Sequence, residues 1–432
     1  MERALCYGCV EDSYLGKIIR DDGTMLECSV CGESDREAIT VQRLGQIMEP
    51  IMREHFELGP QVRKFGEGDR DWWEQDGDPI SDAVREVLGQ YFDFEDEIVD
   101  AIVDADDYWP PDGGEAYWDT TSLYVPTRVQ TGHYFAEWHN TLAELKHGRR
   151  FFSPAARALF EKLFEGIDDL RARKGRRLLP VARVLPKGTS IYRARICGSR
   201  KALKSMFTNP IRELGPPPAE SARAGRMNAE GVVVLYAARD VKTCLAEMRP
   251  ALGSEVAAIE METTRALRVL DFARLDEART GKALSYFQPD FTDQVEHRAF
   301  LRRLHSLISQ PIVPGRESDY LITQTMAEYL AHLHDKPFDG VLFSSVQRAG
   351  GVNIVLFPEK GLLTDEPADA FRVRYVDGSV RLVSTTAIRY SHHDLDVTID
   401  GDGEPWVDDG LGPSQDEDWE LQVRWRTSSS HP

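Results

Sequence analysis

Four of the six cysteines in this chain stand in two closely spaced pairs near its N-terminus, and this feature constrains the fold more than any other. Two residues separate the cysteines within each pair, and 18 residues separate the pairs. Four thiolates at these spacings can surround one Zn²⁺ tetrahedrally. Because all four ligands are sulfur, the metal has no open position and is expected to be structural. The predicted zinc ligands are Cys6, Cys9, Cys28 and Cys31.

The other cysteines and the segment between the pairs allow two further predictions. Cys197 and Cys244 lie in apolar surroundings, so they are expected to be packed rather than reactive. Gly23 follows two aspartates between the cysteine pairs and predicts the tip of a β-hairpin. The N-terminal module is therefore predicted to be a small zinc ribbon over residues 1–38.

Length and composition place the chain among globular multidomain proteins. Its 432 residues are 41% hydrophobic and 29% charged, which excludes a largely disordered, collagen-like or coiled-coil chain. No apolar run approaches the roughly 18 residues of a membrane span, and the N-terminus has no signal-peptide pattern. We therefore predict a cytoplasmic protein without membrane contact, in which paired cysteines bind metal rather than form disulfides.

The net charge of −20 is unevenly distributed along the chain. Residues 67–119 contain 19 acidic and two basic side chains, whereas residues 146–212 contain 18 basic and four acidic ones. The net charge argues against a nucleic-acid-binding protein, since phosphate contacts need clustered cations. The pattern is compatible with two solvated surfaces, with two segments that lie against each other, and with a basic lining for an anionic ligand.

The hydrophobic periodicity changes near residue 177. Before it the pattern is mostly helical, with Leu44, Met48 and Met52 on one helix face. After it, short β-type runs alternate with helices, which predicts an α+β domain. The predicted strands cover residues 189–196, 232–238, 256–261, 268–272, 340–343 and 353–357, and the predicted helices cover 241–249, 295–308 and 320–334. We predict a mainly helical domain over 39–177, the α+β domain over 178–360, and a strand-containing extension with an acidic tail over 361–432.

Three stretches of the predicted α+β domain carry residues suited to chemistry. Strand alternation places Arg193 and Arg195 on one face, where two guanidinium groups can bind a pyrophosphate; solvated arginines on an edge strand are the alternative. Glu247 lies in an apolar helical segment, where a carboxylate is costly unless it is paired or functional. Ser344 and Ser345 end an apolar run and are expected at a strand terminus near a cleft.

These motifs, in their order along residues 180–358, resemble those of RES-domain proteins, a family named for its Arg, Glu and Ser. The matching segments are Tyr192-Arg193-Ala194-Arg195, Gly225-Arg226-Met227-Asn228, Tyr236, Ala246-Glu247, Tyr320-x3-Gln324 and Ser344-Ser345. Upstream, residues 144–152 resemble the helical HEPN-type region that precedes the RES domain in longer members. The resemblance implies a fold similar to ADP-ribosyltransferases. It also implies destruction of NAD+ by phosphorolysis or hydrolysis, as in toxins of bacterial toxin–antitoxin pairs.

The resemblance further implies roles for individual residues. Arg193 and Arg226 would hold the phosphates of NAD+, and Tyr236 would lie at the nicotinamide ribose. Glu247 would be the catalytic acid residue. Ser345 matches the serine of the family, and the adjacent Ser344 is the second choice for that match. Loss of nicotinamide leaves a cationic ribose that a carboxylate can stabilise, and the neutral leaving group needs no proton.

The acceptor and the partners stay open at this point. Water or inorganic phosphate can attack the ribose, and phosphate would need a further cation such as Arg195. The alternatives are transfer of ADP-ribose to a macromolecule and a non-catalytic zinc protein that binds a partner. A HEPN-type ribonuclease using Arg128 and His133 is disfavoured, since that spacing is expected by chance. An antitoxin or regulatory protein and a second copy of the chain are candidate partners.

Overall fold

The computed structural model of the chain describes residues 2–65, 71–106, 116–127, 132–275, 278–279, 284–309, 317–359, 368–388, 396–399 and 405–408. The chain begins with a three-stranded antiparallel sheet and one helix: β1 (Ala4–Cys6), α1 (Ser13–Asp22), β2 (Thr24–Met25) and β3 (Glu37–Thr40). The central strand β3 pairs with both others. β1 and β2 therefore run in the same direction, and the cysteine pairs that follow them meet at one end of the sheet.

Helix α1 occupies the position where the sequence predicted a hairpin, and that prediction is wrong. The Asp12 carboxylate accepts hydrogen bonds from the backbone N–H groups of Tyr14 and Leu15, at 2.8 and 2.9 Å, and so caps the helix N-terminus. Leu15 and Ile19 are fully buried, and this apolar face stabilises the helix. Gly23 ends the helix, and glycine is required there because a Cβ would lie 2.3 Å from the Ile19 carbonyl oxygen.

The next segment combines helices with short strands and packs on α1. Its elements are α2 (Val41–His55), β4 (Phe56–Leu58), β5 (Gln61–Phe65), β6 (Asp71–Gln75), β7 (Asp78–Pro79), α3 (Ile80–Leu88), α4 (Glu95–Ala105) and β8 (Leu123–Pro126). Leu44, Met48 and Met52 are fully buried on α2, as their spacing predicted. The strands depart from the mostly helical prediction, because Pro60 and Gly77 interrupt any helix between α2 and α3.

The second half of the chain forms a large mixed sheet with helices on both faces, which confirms the predicted α+β class. Its helices are α5 (Gly132–His147), α6 (Pro154–Leu163), α7 (Arg200–Thr208), α8 (Pro210–Leu214), α9 (Val241–Glu247), α10 (Phe272–Leu275), α11 (Phe291–Ser309) and α12 (Leu321–Glu328), which continues into a π-helical turn at Tyr329–Leu333. The first strands are β9 (Arg171–Lys174), β10 (Arg177–Pro180), β11 (Ala182–Leu185), β12 (Ser190–Ile196) and β13 (Leu235–Ala238). The later strands are β14 (Glu255–Thr263), β15 (Leu267–Asp271), β16 (Ala278–Arg279), β17 (Gly340–Ser344), β18 (Val352–Leu356), β19 (Val373–Tyr375) and β20 (Arg381–Ser384). Of the strands in this half, β9, β10 and β16 form a separate three-stranded sheet.

Strand order in the large sheet is β11-β15-β17-β18-β13-β12-β14-β19, and β20 also pairs with β14. All neighbours are antiparallel except β15 and β17. The sheet thus continues past residue 360, into the segment that the sequence assigned to a C-terminal extension. The same segment also contains a separate hairpin of β21 (Asp396–Ile399) and β22 (Pro405–Asp408). The acidic tail after this hairpin lies outside the described residues.

Buried side chains of the described residues form three main cores. The first core joins α1 to α2, α3 and α4, so the cysteine module and the following helices share their interior. In the second core, α5, α6, α11 and α12 cover one face of the large sheet. In the third, α7 and α8 lie against the opposite face. Phe287 inserts into the first core, and the neighbouring Tyr286 stacks on Phe291 at 4.3 Å between ring centroids. These aromatic contacts join the two halves of the chain.

The two segments of opposite charge do not pair with each other through the described residues. Each ion pair that joins described residues of the acidic segment uses Arg3, Arg53 or Arg85, all outside the basic segment. The structure therefore gives no support to an arrangement in which the acidic segment 67–119 lies against the basic segment 146–212. Within the described part of the chain, no helix has the length and apolar character needed to cross a membrane.

Candidate functional site

The large sheet opens between β12 and β13. β12 pairs with β14 over all seven of its residues, but it pairs with β13 at one position, Tyr192 opposite Ala238. Beyond that pair the two strands separate, and backbone groups that would form a ladder are left for other partners. Such an opening in the middle of a sheet creates a cleft that side chains from both strands can line.

The Arg193 side chain bridges this opening. Its Nη1 donates a hydrogen bond to the Tyr236 carbonyl oxygen at 2.9 Å, where a ladder hydrogen bond is missing. Burial lowers the pKa of Arg193 to about 10, and the positive charge of Arg195 lowers it further. The Cys244 thiol has the opposite effect and raises the pKa. No carboxylate of the described residues forms an ion pair with Arg193. A poorly solvated guanidinium that no described carboxylate neutralises is a suitable binding group for an anion.

Helix α9 lies over small residues of the sheet and carries Glu247 at its last position. Asp240 caps its N-terminus by accepting a hydrogen bond from the backbone N–H of Thr243 at 2.9 Å. Cys244 is buried against Ala194 and Ala238, whose small side chains allow the helix to approach the strands closely. Cys244 is therefore packed, as predicted. This packing fixes the end of α9 at the opening of the sheet.

Two donors orient the Glu247 carboxylate through one of its oxygens. Oε1 accepts hydrogen bonds from Ser345 Oγ at 2.5 Å and from Asn353 Nδ2 at 2.8 Å. No described residue donates a hydrogen bond to Oε2, and the side chain is exposed. The second oxygen is therefore oriented by the protein and available to a ligand.

The Ser345 hydroxyl acts as an orienting donor. Its oxygen accepts hydrogen bonds from the backbone N–H groups of Gln347 and Arg348, each at 3.2 Å, while its proton is directed to Glu247. Ser345 is buried, directly after the end of β17. The backbone N–H of the preceding Ser344 donates to His305 Nε2 at 3.1 Å. Both serines lie at a strand terminus, as predicted, and Ser345 is the one that contacts the carboxylate.

Asn353 is a site residue that the sequence analysis missed. It is buried on β18, between β13 and β17, and faces the same side of the sheet as Val355. A polar side chain inside the apolar run Val352–Leu356 was the available signal, since a buried amide needs partners. In the structure its side-chain amide donates a hydrogen bond to Glu247, which lies far from it in sequence.

The connection between β17 and β18 is held to both ends of α9. Arg348 Nη1 donates to both carboxylate oxygens of Asp240 at 3.0 Å and to Thr243 Oγ1 at 2.8 Å. Ser345, in the same connection, contacts Glu247 at the other end of the helix. These contacts restrict the rotation of α9 and the position of its terminal carboxylate.

Tyr236 on β13 organises the loop that carries Arg226. Its hydroxyl accepts a hydrogen bond from the Met227 backbone N–H at 2.9 Å and donates one to Asn228 Oδ1 at 3.0 Å. Burial raises the pKa of Tyr236 to about 12, although the Met227 N–H and the Arg226 charge act in the opposite direction. Gln324 Nε2 adds hydrogen bonds to the loop carbonyls of residues 225 and 228. The Tyr236 hydroxyl thus has a positioning function in this structure.

Gly225 is required by the close approach of this loop to Tyr236. A Cβ at residue 225 would lie 2.7 Å from the Tyr236 hydroxyl and 2.8 Å from Asn228 Oδ1. We expect Gly225→Ala to lower the free energy of unfolding by about 2 kcal/mol, because the loop must move. Thermal unfolding measures this effect. Gly198→Ala is the matched control, since a Cβ there meets no atom within 4 Å; equal behaviour of the two variants would contradict the prediction.

The structure places several of the predicted site residues in contact in two groups. Arg193 contacts Tyr236, and Arg226 follows Gly225 in the loop that Tyr236 holds. Glu247 contacts Ser345. Arg193 and Glu247 both act electrostatically on the Cys244 thiol. Burial raises the pKa of Cys244 to about 12, an effect that Arg193 opposes and Glu247 reinforces.

The Arg195 side chain contacts helix α8 and does not join Arg193 at the opening of the sheet. Its Nη1 donates to the Glu213 carbonyl oxygen of α8 at 3.2 Å, and the side chain is exposed. Alternation does place it beside Arg193 along β12, but the two guanidinium groups do not form a common clamp in this structure. Among the residues of the HEPN-type alternative, Arg128 lies outside the described residues, and His133 is exposed beside Glu137 at 3.2 Å.

The four N-terminal cysteines form a cluster that could hold a metal ion. Their sulfur atoms all lie within 4.8 Å of one another, and Cys6 Sγ and Cys31 Sγ are 3.8 Å apart. Burial opposes ionisation of Cys28, but backbone N–H groups of residues 31, 6 and 30 lower its pKa to about 6. Burial raises the pKa of Cys9. A thiolate stabilised by backbone donors at one position is a good starting ligand for a metal.

Comparison with known protein families identifies one segment of the chain. The family model of the RES domain matches residues 190–376, from the first residue of β12 to one residue past β19. No curated protein and no solved structure matches the chain significantly. The matched segment contains the opening of the sheet, α9 and Glu247, and the connection from Ser345 to Asn353.

Proposed function

We propose that this chain, whose residues 190–376 form a RES domain, binds NAD+ at the opening between β12 and β13 and cleaves the bond between nicotinamide and ribose. A RES domain has an NAD+-related, ADP-ribosyltransferase-like function in general. The observation that carries the specific reaction is the Glu247 carboxylate, which is held by Ser345 and Asn353 and has one oxygen available at the cleft.

Glu247 would stabilise the cationic ribose that forms as nicotinamide leaves. The C–N bond breaks with both electrons on nicotinamide, which departs as a neutral molecule, so no general acid is required. The positive charge that develops on the ribose ring is attracted to the carboxylate, or the carboxylate orients the ribose hydroxyl groups. Ser345 and Asn353 support this step by fixing the carboxylate before the substrate arrives.

Arg193 and Arg226 would bind the pyrophosphate of NAD+. Arg193 already spans the opening without a carboxylate partner among the described residues, and Arg226 lies on the loop that Tyr236 and Gln324 hold in place. Arg226 Nη1 donates to the Ile308 carbonyl oxygen at 3.0 Å, which leaves its other guanidinium N–H groups for a phosphate. Binding of the pyrophosphate at these two residues would bring the nicotinamide ribose to Glu247.

The N-terminal cysteine cluster is proposed to bind a structural Zn²⁺. Four sulfurs at about 2.3 Å from a tetrahedral zinc lie about 3.8 Å from one another, and the Cys6–Cys31 separation of 3.8 Å has this value. The cluster lies in a part of the chain whose core is separate from that of the RES domain. The metal would therefore stabilise the N-terminal module and take no part in the reaction.

The reaction can be tested by incubating the purified protein with NAD+ in the presence and absence of inorganic phosphate. Free nicotinamide together with ADP-ribose indicates attack by water, and ADP-ribose 1″-phosphate indicates attack by phosphate. Arg193→Ala and Glu247→Ala serve as inactive controls. ADP-ribose bound to protein or nucleic acid would favour transfer to a macromolecule, and unchanged NAD+ would contradict the proposal.

We propose a toxin-like role in a toxin–antitoxin or defence system for the same activity, because loss of NAD+ harms the cell in which it occurs. Expression of the chain in growing bacteria should then stop growth, whereas expression of Glu247→Ala should not. A partner protein that restores growth by covering the Glu247 cleft would act as the antitoxin. Normal growth with full NAD+ consumption would contradict this role and leave the reaction itself unaffected.

A further inference from the structure

A groove lies between helix α7 and strand β20. Leu203 and Phe207 of α7 and Leu382 of β20 form its apolar lining, and its volume is about 300 Å³. Phe207 is 49% exposed and Leu382 is 39% exposed. Apolar side chains of two adjacent elements thus form one surface that the described residues do not cover. We call this surface the α7–β20 groove.

The groove borders an edge of the large sheet. β20 pairs with β14 on one side and with no other strand of the described residues. One row of its backbone N–H and C=O groups therefore has no ladder partner among the described strands. A strand added to this edge would place every second side chain on the face where Leu382 lines the groove.

The rim of the groove is basic. Arg200 and Lys204 complete its lining, and Lys201 and Arg381 are exposed beside them in sequence. Arg200 lies 3.8 Å from the Glu255 carboxylate. Lys201, Lys204 and Arg381 form no ion pair with another described residue. A segment that fits this surface must therefore combine alternating apolar side chains with carboxylates.

The C-terminal tail of the chain contains a segment with both properties. Residues 416–418 are all acidic, and apolar residues alternate with polar ones directly after them. The alternating apolar residues are Trp419, Leu421, Val423 and Trp425. Strict alternation over seven residues is typical of a strand with one apolar face. The acidic run would meet the basic rim, and the apolar face would meet the groove.

The length of the intervening chain allows the tail to reach the groove. Leu382 is six residues from Ile388, which limits their separation to about 20 Å. The hairpin of β21 and β22 pairs its first residue with its last, so it adds little to the distance. Residues 389–395 and 409–415 provide two further stretches of seven residues, which together can span roughly 45 Å.

We propose that residues 416–425 add as a strand to the edge of β20, with alternate apolar side chains in the α7–β20 groove and the acidic run at its basic rim. This docking removes the exposed parts of Phe207 and Leu382 from water. It also covers a sheet edge that could otherwise pair with other chains. Attachment to the same chain keeps the local concentration of the segment high.

Hydrogen exchange of the full chain, followed by mass spectrometry, tests the docking. In the double variant Trp419→Ser with Leu421→Ser, the backbone amides of residues 381–384 should exchange about tenfold faster than in the wild type. Leu411→Ser is the matched control, since it changes an apolar residue of the tail outside the docking segment. This control should keep the wild-type exchange rates.

Charge reversal tests the position of the acidic run. Lys201→Glu with Lys204→Glu should also speed exchange at β20, because the carboxylates are then repelled from the rim. Adding Asp416→Lys with Glu417→Lys to the same chain should restore slow exchange. Absence of this rescue would overturn the placement of the acidic run beside α7.

The remaining outcomes identify other occupants of the groove. Unchanged exchange at β20 in the tail double variant, as expected if another segment or a different protein covers the edge, would overturn the proposal. Slow exchange in the wild type that is lost on dilution would show that the tail of a second copy binds there, and would overturn docking within one chain. Slow exchange that is independent of protein concentration supports the proposal.

Discussion

Glu247→Gln is expected to lower the rate of NAD+ cleavage about 10³-fold. Glutamine has the shape of glutamate, and its amide oxygen can still accept the hydrogen bonds from Ser345 and Asn353. The fold is therefore expected to be retained, while the negative charge that faces the developing ribose cation is lost. The measurement is the initial rate of nicotinamide release at saturating NAD+, with thermal unfolding as a check on the fold.

Two further variants make this result specific. Glu220→Gln changes an exposed glutamate in the RES domain that forms no ion pair with the described residues, and it should keep the wild-type rate. Ser345→Ala removes one of the two donors to Glu247 and should lower the rate by a smaller factor, about tenfold to 10²-fold. A Glu247→Gln enzyme within tenfold of the wild type would show that another group stabilises the ribose cation.

Cys28→Ser is expected to abolish zinc binding and to unfold the N-terminal module. Binding of a structural zinc contributes about 10–16 kcal/mol, which is comparable to the whole stability of a domain. Cys28 is buried, and its sulfur accepts a hydrogen bond from the Cys6 N–H at 3.4 Å, so serine cannot replace it as a ligand without leaving a gap in the cluster. Zinc content per chain and thermal unfolding measure the two effects.

Cys197→Ser is the matched control for the zinc site. Its thiol lies outside the cluster and contacts the Met206 sulfur at 3.5 Å, so this variant should keep one zinc per chain. NAD+ cleavage by the Cys28→Ser protein shows in addition whether the N-terminal core unfolds separately from the cores around the large sheet. A wild-type chain without zinc, or a Cys28→Ser chain that keeps it, would contradict the assignment of the cluster.

The sequence predicts those parts of the fold that depend on local patterns. Short β-type runs predicted β12, β14 and β18, and the helical spacing of Leu44, Met48 and Met52 predicted α2. Short elements were harder to predict. Helix α1 depends on a single aspartate cap, and Gly23, which ends it, has the same composition signal as a turn in a hairpin.

Features that depend on contacts between distant segments could not be predicted from the sequence. β12 and β13 pair only at Tyr192 and Ala238 and then separate. No local sequence pattern indicates where two strands separate. The proximity of Asn353 to Glu247 likewise requires β18 to lie beside β13. Arg195 satisfied the alternation rule and still turns to α8, because the rule gives a face of the strand and not the direction of a long side chain.

The sharing of one core by α5, α6 and the large sheet has a consequence for how such a protein can evolve. The RES match begins at residue 190, yet Trp138, Leu159 and Phe160 from upstream helices fill the interior beneath the sheet. A gene fragment that carried the matched span alone into a new host protein would leave that interior open to water. The stretch from α5 onward must therefore be inherited as a single piece, and the cysteine module, which shares its interior with α2, α3 and α4, must be inherited with those helices.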